Sequence, residues 1–463
     1  KKLYRFSAIA LLVLPLVFTS CSDYLDRDDD DNITEADVFA RYEKVNGLVS
    51  DVYAAAKKAD RPLVFFEHFS NSAITDECEG TNVEGNITNN FNNGAWNPNS
   101  LPGSVGQYWE ALYEGIRKAN LIIENVQKYN TPDNPQQDGD LRNRIGEMYF
   151  MRGYFHMLLL RMYGEAPYID RVINAGDNMD FKKESVHSMV EKIVTDAQTA
   201  YGMVPNKYVK TSENFGRVDK GACLGLISFV RWVAATPLWN GASQYGYNLR
   251  RVFENEYAYD ATRWRKAKEA AKAVLDFEVG GTKRYSLYTK HDANDFKDPA
   301  DGNLNDSRVY ARLWDMFYDM DAFANEYVFF MTKSKDQAWQ GDIYPPSREG
   351  SSRQQPVQEQ VDEYEYIVGD YGYPVYSAEA RKGGYDDTNP YVKGTRDPRF
   401  YRDVIYHGAP YRNNKNESKT INTASGSDKI GATNATTTGY YLRKFQQESW
   451  NKSGNFSINA PAI

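Results

Sequence analysis

RIGEMYFMRGYFHMLLLRMYGEAP, residues Arg144–Pro167, is the stretch on which the fold turns. Ile145, Met148, Phe155, Leu159 and Met162 fall at helical spacing and build an apolar face several turns long. Arg144, Glu147, Arg152 and Arg161 lie among them. Tyr163-Gly164 stops the helix and Pro167 keeps it from resuming. Read alone, this is a core helix with one apolar face and an aromatic flank.

The segments on either side are also helical. Before it, Leu112, Ile116, Ala119, Ile123 and Val126 step by four and three within QYWEALYEGIRKANLIIENV, and a polar break at Thr131–Gly139 separates the two. Two helices joined by a short connection form the unit of helical-repeat proteins. Further helices are expected over 184–201, over 216–237 and over 262–277. Thr34 caps an earlier one through Val38, Tyr42, Val45, Val49 and Val52. Residues 67–106 lose periodicity and read as a long loop, and loops of that length tend to carry function.

After Gly280 the texture changes to Gly, Asp, Asn, Pro and Tyr. Glu326–Met331 and Gly439–Phe445 are expected to be short strands, and 413–438 an exposed excursion. The expected fold is mainly α, a helical scaffold over 34–280 with a loop-rich lobe over 281–463.

Composition narrows the function. The chain has 463 residues and a formal net charge of −8, which disfavours nucleic acid as the main partner. Aromatics make up 14%, with 35 Tyr and 8 Trp, enough for some rings to serve as binding surface. Mean hydropathy is −0.67, so the chain past its N-terminus is not a polytopic membrane protein.

The N-terminus reads as an address. Lys1, Lys2 and Arg5 precede an apolar run, Ala8–Phe18, too short to span a bilayer. Thr19, Ser20 and Cys21 follow, which resembles a bacterial lipobox with Phe18 where an aliphatic residue is usual. Residues 1–20 are then a lipoprotein signal peptide and Cys21 the lipidated first residue, with 21–33 an acidic tether. Cys78 is expected in a polar loop and Cys223 in a helix core; the count alone leaves open whether they pair.

No HExxH, no Cys/His ligand spacing, no GxSxG, no P-loop and no GxGxxG is present, and the five His are scattered. No catalytic residue, metal ligand or cofactor site is assigned.

Several segments, in order, resemble the SusD/RagB family of Bacteroidota surface lipoproteins. Arg144, Glu147, Phe150, Met151, Arg152, Gly153, Tyr154 and Phe155, then Tyr163, Gly164, Glu165, Ala166 and Pro167, match the family's "R-x-x-E-x-x-F-L-R-A-Y-F-Y" helix and "Y-G-D-V-P" stop, with Met151, Gly153 and Ala166 as departures. Tyr108–Asn120 resembles the preceding family helix and Gly216–Leu226 its "G-R-A-T-K-G-A-A" helix. Arg396–Phe400 and Gly439–Phe445 resemble two later signatures. The family normally continues with a further amphipathic helix where this sequence reaches Ala460–Ile463, so a chain truncated before its final helices is expected.

The resemblance implies a right-handed bundle of tetratricopeptide-like helical pairs carrying an irregular lobe. It implies a lipid anchor in the outer membrane, facing the cell exterior. It also implies a SusC-like TonB-dependent transporter as partner, facing the helical side, and capture of glycans, or in some relatives peptides, for import. A glycoside hydrolase and a purely structural lid are the remaining alternatives. Sugars stack their C–H faces on flat aromatic rings and bond their hydroxyls to nearby amides and carboxylates. Trp96, with Asn97 beside it, is the first carbohydrate-binding candidate; Trp339 and Trp314 are the next. Trp109, Trp232 and Trp264 lie in helices and are assigned to packing.

Overall fold

The computed structural model describes residues 34–59, 69–80, 87–97, 99, 103–129, 135–208, 214–242, 253–289, 316–317, 325–334, 341–392, 394–412, 418–446 and 457–461. Cys21, Trp314 and Trp339 lie outside these.

Thr34 opens the chain's first described helix, α1 (Glu35–Phe39), with a reciprocal cap. Its hydroxyl accepts from Asp37 N–H (3.2 Å), and Asp37 accepts from Thr34 N–H (3.0 Å). The helix breaks at Ala40-Arg41, where one continuous helix was expected, and restarts as α2 (Tyr42–Ala59). Then come α3 (Ile87–Asn92), α4 (Gly103–Tyr129), α5 (Pro135–Tyr163), α6 (Val186–Met203), α7 (Lys220–Ala235) and α8 (Ala261–Asp276). Each long helix packs on its neighbour in sequence: α4 on α5, α5 on α6, α6 on α7, α7 on α8. That nearest-neighbour order is the signature of stacked helical pairs. The fold is mainly α and tetratricopeptide-like.

The central helix α5 is more deeply buried than its pattern suggests. Met148, Phe150, Met151, Tyr154, Phe155, Met157, Leu158, Leu159 and Leu160 are all buried, so the helix is covered on every side by α2, α4 and α6. Its polar residues are therefore inside too. Glu147 and His156 are fully buried, and Arg144 and Arg152 nearly so. Burying such groups is tolerable only when each is bonded. Arg152 donates to Asp196 (2.8 and 2.5 Å), to Asn120 Oδ1 (2.9 Å) and to the Asp170 carbonyl (2.8 Å). Glu147 accepts from Arg144 (2.7 Å), Arg217 (2.8 Å), Tyr53 (3.0 Å) and Tyr208 (2.6 Å).

His156 Nε2 accepts from Ile169 N–H (3.0 Å), so Nδ1 carries the proton and donates to the Arg152 carbonyl (2.8 Å). Burial, reinforced by the charges of Arg152 and Lys192, pushes the imidazole pKa down to about 3. The folded value lies below the unfolded one near 6.5, so this contribution is full above pH 6.5 and is lost as pH falls toward 3. Its slope is about 1.4 kcal/mol per pH unit. Urea midpoints taken at pH 7 and pH 4.5 are expected to fall less in His156→Gln than in the parent. Equal falls would show that His156 is not the group responsible.

The second half carries short strands and helices in pairs. A three-stranded antiparallel sheet joins β1 (Ile74–Thr75) and β2 (Cys78–Gly80) to β6 (Gln354–Pro356), with Cys78 opposite Pro356 and Gly80 opposite Gln354. Between them in sequence, β3 (Glu278–Val279) pairs with β4 (Thr282–Lys283), and β5 (Phe330–Ser334) lies beyond. After β6 come α9 (Gln358–Asp362), the hairpin β7 (Tyr366–Val368) and β8 (Tyr371–Tyr373), α10 (Ala378–Lys382) and α11 (Pro398–Asp403). Then β9 (Val404–Ile405), β10 (Pro410–Arg412), β11 (Ser418–Thr420), β12 (Tyr441–Leu442) and β13 (Ser457–Pro461) follow; β9 pairs with β12, β10 with β11, β5 with β13.

Four expectations need correction. The strand expected at Glu326–Met331 lies at Phe330–Ser334, because its partner is the late segment Ser457–Pro461. Cys78 is a buried strand residue because β2 is the middle strand of its sheet. It and Cys223 are both free thiols. The 413–438 stretch is partly interior: Ile421, Thr423, Asp428, Ala435 and Thr436 are buried, and Ile421 joins the lobe's own core. Finally, Trp232 and Trp264 are 51% and 43% exposed, on the outward sides of α7 and α8. Trp109 does pack against the main core.

Candidate functional site

The 67–106 stretch carries small elements of its own among its described residues, and they aim Trp96. Helix α3 ends in a Schellman motif. Ala95 N–H returns to the Asn90 carbonyl (2.9 Å) and Gly94 N–H to that of Phe91 (3.0 Å). Gly94 has φ +64°, a conformation open to glycine at little cost. The motif turns the chain so that the Trp96 ring meets Phe91, centroids 5.2 Å apart and tilted 48°. Trp96 nevertheless stays 41% exposed. A large ring held on one side by another ring and open on the other is a stacking surface.

Asn97 is next to it and exposed. Its Oδ1 accepts from Asn99 N–H (2.9 Å), a local turn that fixes the side chain and leaves the amide NH2 as its donor end. The site thus presents a ring beside a hydrogen-bond donor.

This unit is anchored to both halves of the protein. Phe69, Ala73 and Val105 form a small core to which Ile74, Ile87, Phe91 and Tyr163 contribute. Tyr163 is the last residue of α5, and its hydroxyl donates to the Val105 carbonyl. Asn92 Nδ2 donates to the Ala73 carbonyl (3.2 Å) and to Glu79 (3.4 Å), tying α3 to β2. Burial raises the Glu79 pKa against the lowering effect of that amide. Strand β2 then passes the connection to β6 of the lobe. The central helix therefore supports the site from beneath without lining it.

The other sequence candidates, Trp339 and Trp314, lie outside the described residues. Sequence reasoning did not single out Phe91, the ring that orients Trp96. The signal was the N-N-G-A-W order, in which glycine at the helix stop sets the register between the two rings. Tyr371 and Tyr376, near the β7–β8 hairpin, are further exposed rings, 70% and 56% accessible. Among the described residues no cluster of three or more His, Cys, Asp or Glu could hold a metal ion, and no helix is long and apolar enough to cross a membrane.

The signature residues now have structural reasons. Arg144 and Glu147 pair inside the core, and Arg217 of GRVDKGA reaches the same carboxylate. Asp219 caps α7 through Ala222 N–H (3.0 Å). In RDPRF, Arg396 is 2% exposed and donates to the carbonyls of Val361 and Tyr364, Asp397 caps α11, Pro398 occupies its first turn and Phe400 enters the lobe core. A SusD-like family model described as starch-binding and associating with the outer membrane matches residues 23–230, and a SusD family model matches residues 319–463. The chain belongs to the SusD/RagB family.

Among characterised relatives, this SusD/RagB protein is similar to a SusD-like protein P2 of Formosa agariphila, 24% identical over 202 residues. That match covers 43% of this chain and 38% of the relative, so the chain spans well under half of that relative's length. Among solved structures, it resembles a SusD-like carbohydrate-binding protein from Bacteroides fragilis, with TM-score 0.65, 14% identity, and coverage of 92% of this chain and 72% of that one. It also resembles a laminarin-binding SusD-like protein, with TM-score 0.50, 17% identity, and coverage of 91% and 77%. At these identities the likeness concerns the fold.

Proposed function

We propose that this protein is a cell-surface lipoprotein that captures oligo- or polysaccharide and hands it to a SusC-like TonB-dependent transporter. In this reading residues 1–20 are removed, Cys21 carries the lipid, and 21–33 is an acidic tether that holds the folded part off the outer membrane. The scaffold over 34–280 faces the transporter and the lobe over 281–463 completes the ligand side. Trp339 and Trp314 are further stacking candidates. Binding, with no bond broken in the glycan, is the proposed activity.

The observation that carries the reading is the Trp96 ring, held on Phe91 and open to solvent beside the Asn97 donor. Family membership and the relatives described as carbohydrate- or laminarin-binding support it. The test is affinity electrophoresis and calorimetry with a panel of polysaccharides, run beside a peptide pool. At least one glycan is expected to bind unchanged in length. Trp96→Ala is expected to weaken it roughly tenfold or more, about 1.4 kcal/mol. Binding confined to the peptide pool, or shortening of the glycan, would replace this reading with the peptide importer or the hydrolase.

A further inference from the structure

A second concavity of different character lies between the β1–β2–β6 sheet and the β9–β12 ribbon. It is a cavity of about 250 Å³, and Trp96 is not among its lining residues. Gln354, Asp403, Lys444 and Phe445 are.

Gln354 is 1% exposed. Its Oε1 accepts from Ser70 N–H (3.0 Å) and from Ser70 Oγ (2.6 Å), which settles which end of the amide is which. The Nε2 is buried and has no acceptor among the described residues. A buried donor left unpaired is costly, and native proteins rarely keep one without a reason.

Lys444 adds a second donor. Its ammonium lies 5.2 Å from the Phe445 ring centroid and 5.8 Å from that of Phe317, and has no hydrogen-bond or ion-pair partner among the described residues. Burial holds this amine below the usual lysine range; Asp403 and Glu77 act to raise it while Arg402 and Arg399 act to lower it. Acceptor capacity faces the same space. Asp403 takes the Arg402 guanidinium and the Tyr364 hydroxyl (2.9 Å), and a carboxylate has room for one more donor. Phe445 adds an apolar wall and holds φ +64°, a strained setting for a residue with a bulky side chain.

Two unspent donors, a spare carboxylate position and an aromatic ring match the alternating oxygen and C–H surface of one sugar. We propose that this cavity is a subsite for a single sugar unit, separate from the Trp96 ring, in which Gln354 Nε2 and Lys444 Nζ donate to sugar oxygens. The proposal rests on the glycan-binding reading and extends it: the open ring holds a chain, and the cavity selects one unit of it.

The test is saturation-transfer NMR on the full chain with an equimolar mixture of glucose, galactose, mannose and xylose, followed by titration of whichever sugar responds. Gln354→Glu keeps the Ser70 acceptor and turns the donor into an acceptor; Lys444→Met removes the cation at similar length. Each is expected to weaken the responding sugar tenfold or more, with thermal unfolding used to show that the variant is folded. Trp232→Ala, on the helical face, is expected to leave it unchanged. Either folded variant with undiminished binding would overturn the subsite. So would a parent protein that binds a polysaccharide but no monosaccharide, and that outcome leaves the glycan-binding reading standing. A parent that binds neither would remove both.

Discussion

Asp196→Ala is expected to destabilise the protein by about 3–5 kcal/mol, the cost of stranding a buried charge. Asp196 accepts from Arg152 Nε (2.8 Å), Arg152 Nη2 (2.5 Å) and the Tyr168 hydroxyl (2.6 Å). The Arg152 and Asp196 side chains are only 8% and 6% exposed. The remaining Arg152 partners, Asn120 Oδ1 and the Asp170 carbonyl, are neutral. Removing the carboxylate therefore leaves a guanidinium in the core with no counter-charge and little water. The same loss frees the Tyr168 ring, which stacks on His156 with centroids 3.7 Å apart. Equilibrium urea unfolding measures the cost as a fall in midpoint. The pair's value differs from the cost of breaking it. The double variant Arg152→Met, Asp196→Leu removes both charges and is expected to lose less than Asp196→Ala alone. An Asp196→Ala protein within about 1 kcal/mol of the parent would refute this account of the core.

That core shows what the sequence could and could not announce. The long helices were legible because Leu112, Ile116, Ala119, Ile123 and Val126 repeat on one face, and all five are buried. The 144–167 stretch was legible as a helix but not as a helix enclosed on all sides. Periodicity reports a boundary between core and solvent, and α5 has little such boundary. Its Arg152 and Glu147 stand among the apolar positions, and partners far away in sequence, Asp196 and Arg217, bring their neutralising charges into the interior. The same logic reversed the helical tryptophans. Trp232 and Trp264 are assigned to packing from their place in helices, but Val230 and Ala234 supply the buried face of α7 near Trp232, and on α8 the buried residue is Ala267.

The lobe was less legible because its strands are two to five residues long and some pair across large separations, as Phe330–Ser334 does with Ser457–Pro461. Such strands carry no periodicity of their own. Trp96 stands out in the sequence as a single large ring in a polar stretch. Gln354 and Lys444 gave no sequence signal, since an unpaired donor is defined by what the fold leaves empty around it.

Glu147→Ala is expected to cost about 3 kcal/mol and to loosen the junction between scaffold and lobe. Glu147 is fully buried and gathers donors from three places in the chain: Tyr53 on α2, Arg144 on its own helix, and Tyr208 and Arg217 from the segment leading into α7. Burial raises the pKa of both tyrosines, and the neighbouring carboxylate adds to it, so both stay neutral donors. Without Glu147, two guanidiniums face each other's positive charge. Arg144 keeps Asn46 Oδ1 (2.8 Å), and both arginine side chains are slightly exposed, 11% and 15%, which places the cost at the lower end for a broken buried pair. The effect should spread in one direction. Tyr208 and Arg217 line a small cavity of about 60 Å³ with Tyr327, Phe329 and Phe330 of the lobe. Phe329 in turn meets Phe150 and Tyr154 of α5 edge to face, at 5.0 and 5.4 Å. Hydrogen exchange in Glu147→Ala is therefore expected to rise first at 214–218 and 325–330, ahead of α4 and α6. Pairing it with Arg217→Leu should recover part of the loss, because the double variant buries one charge fewer than Glu147→Ala alone. Uniform exchange across all helices, or a double variant that simply sums the two single losses, would show that Glu147 does not join the two halves.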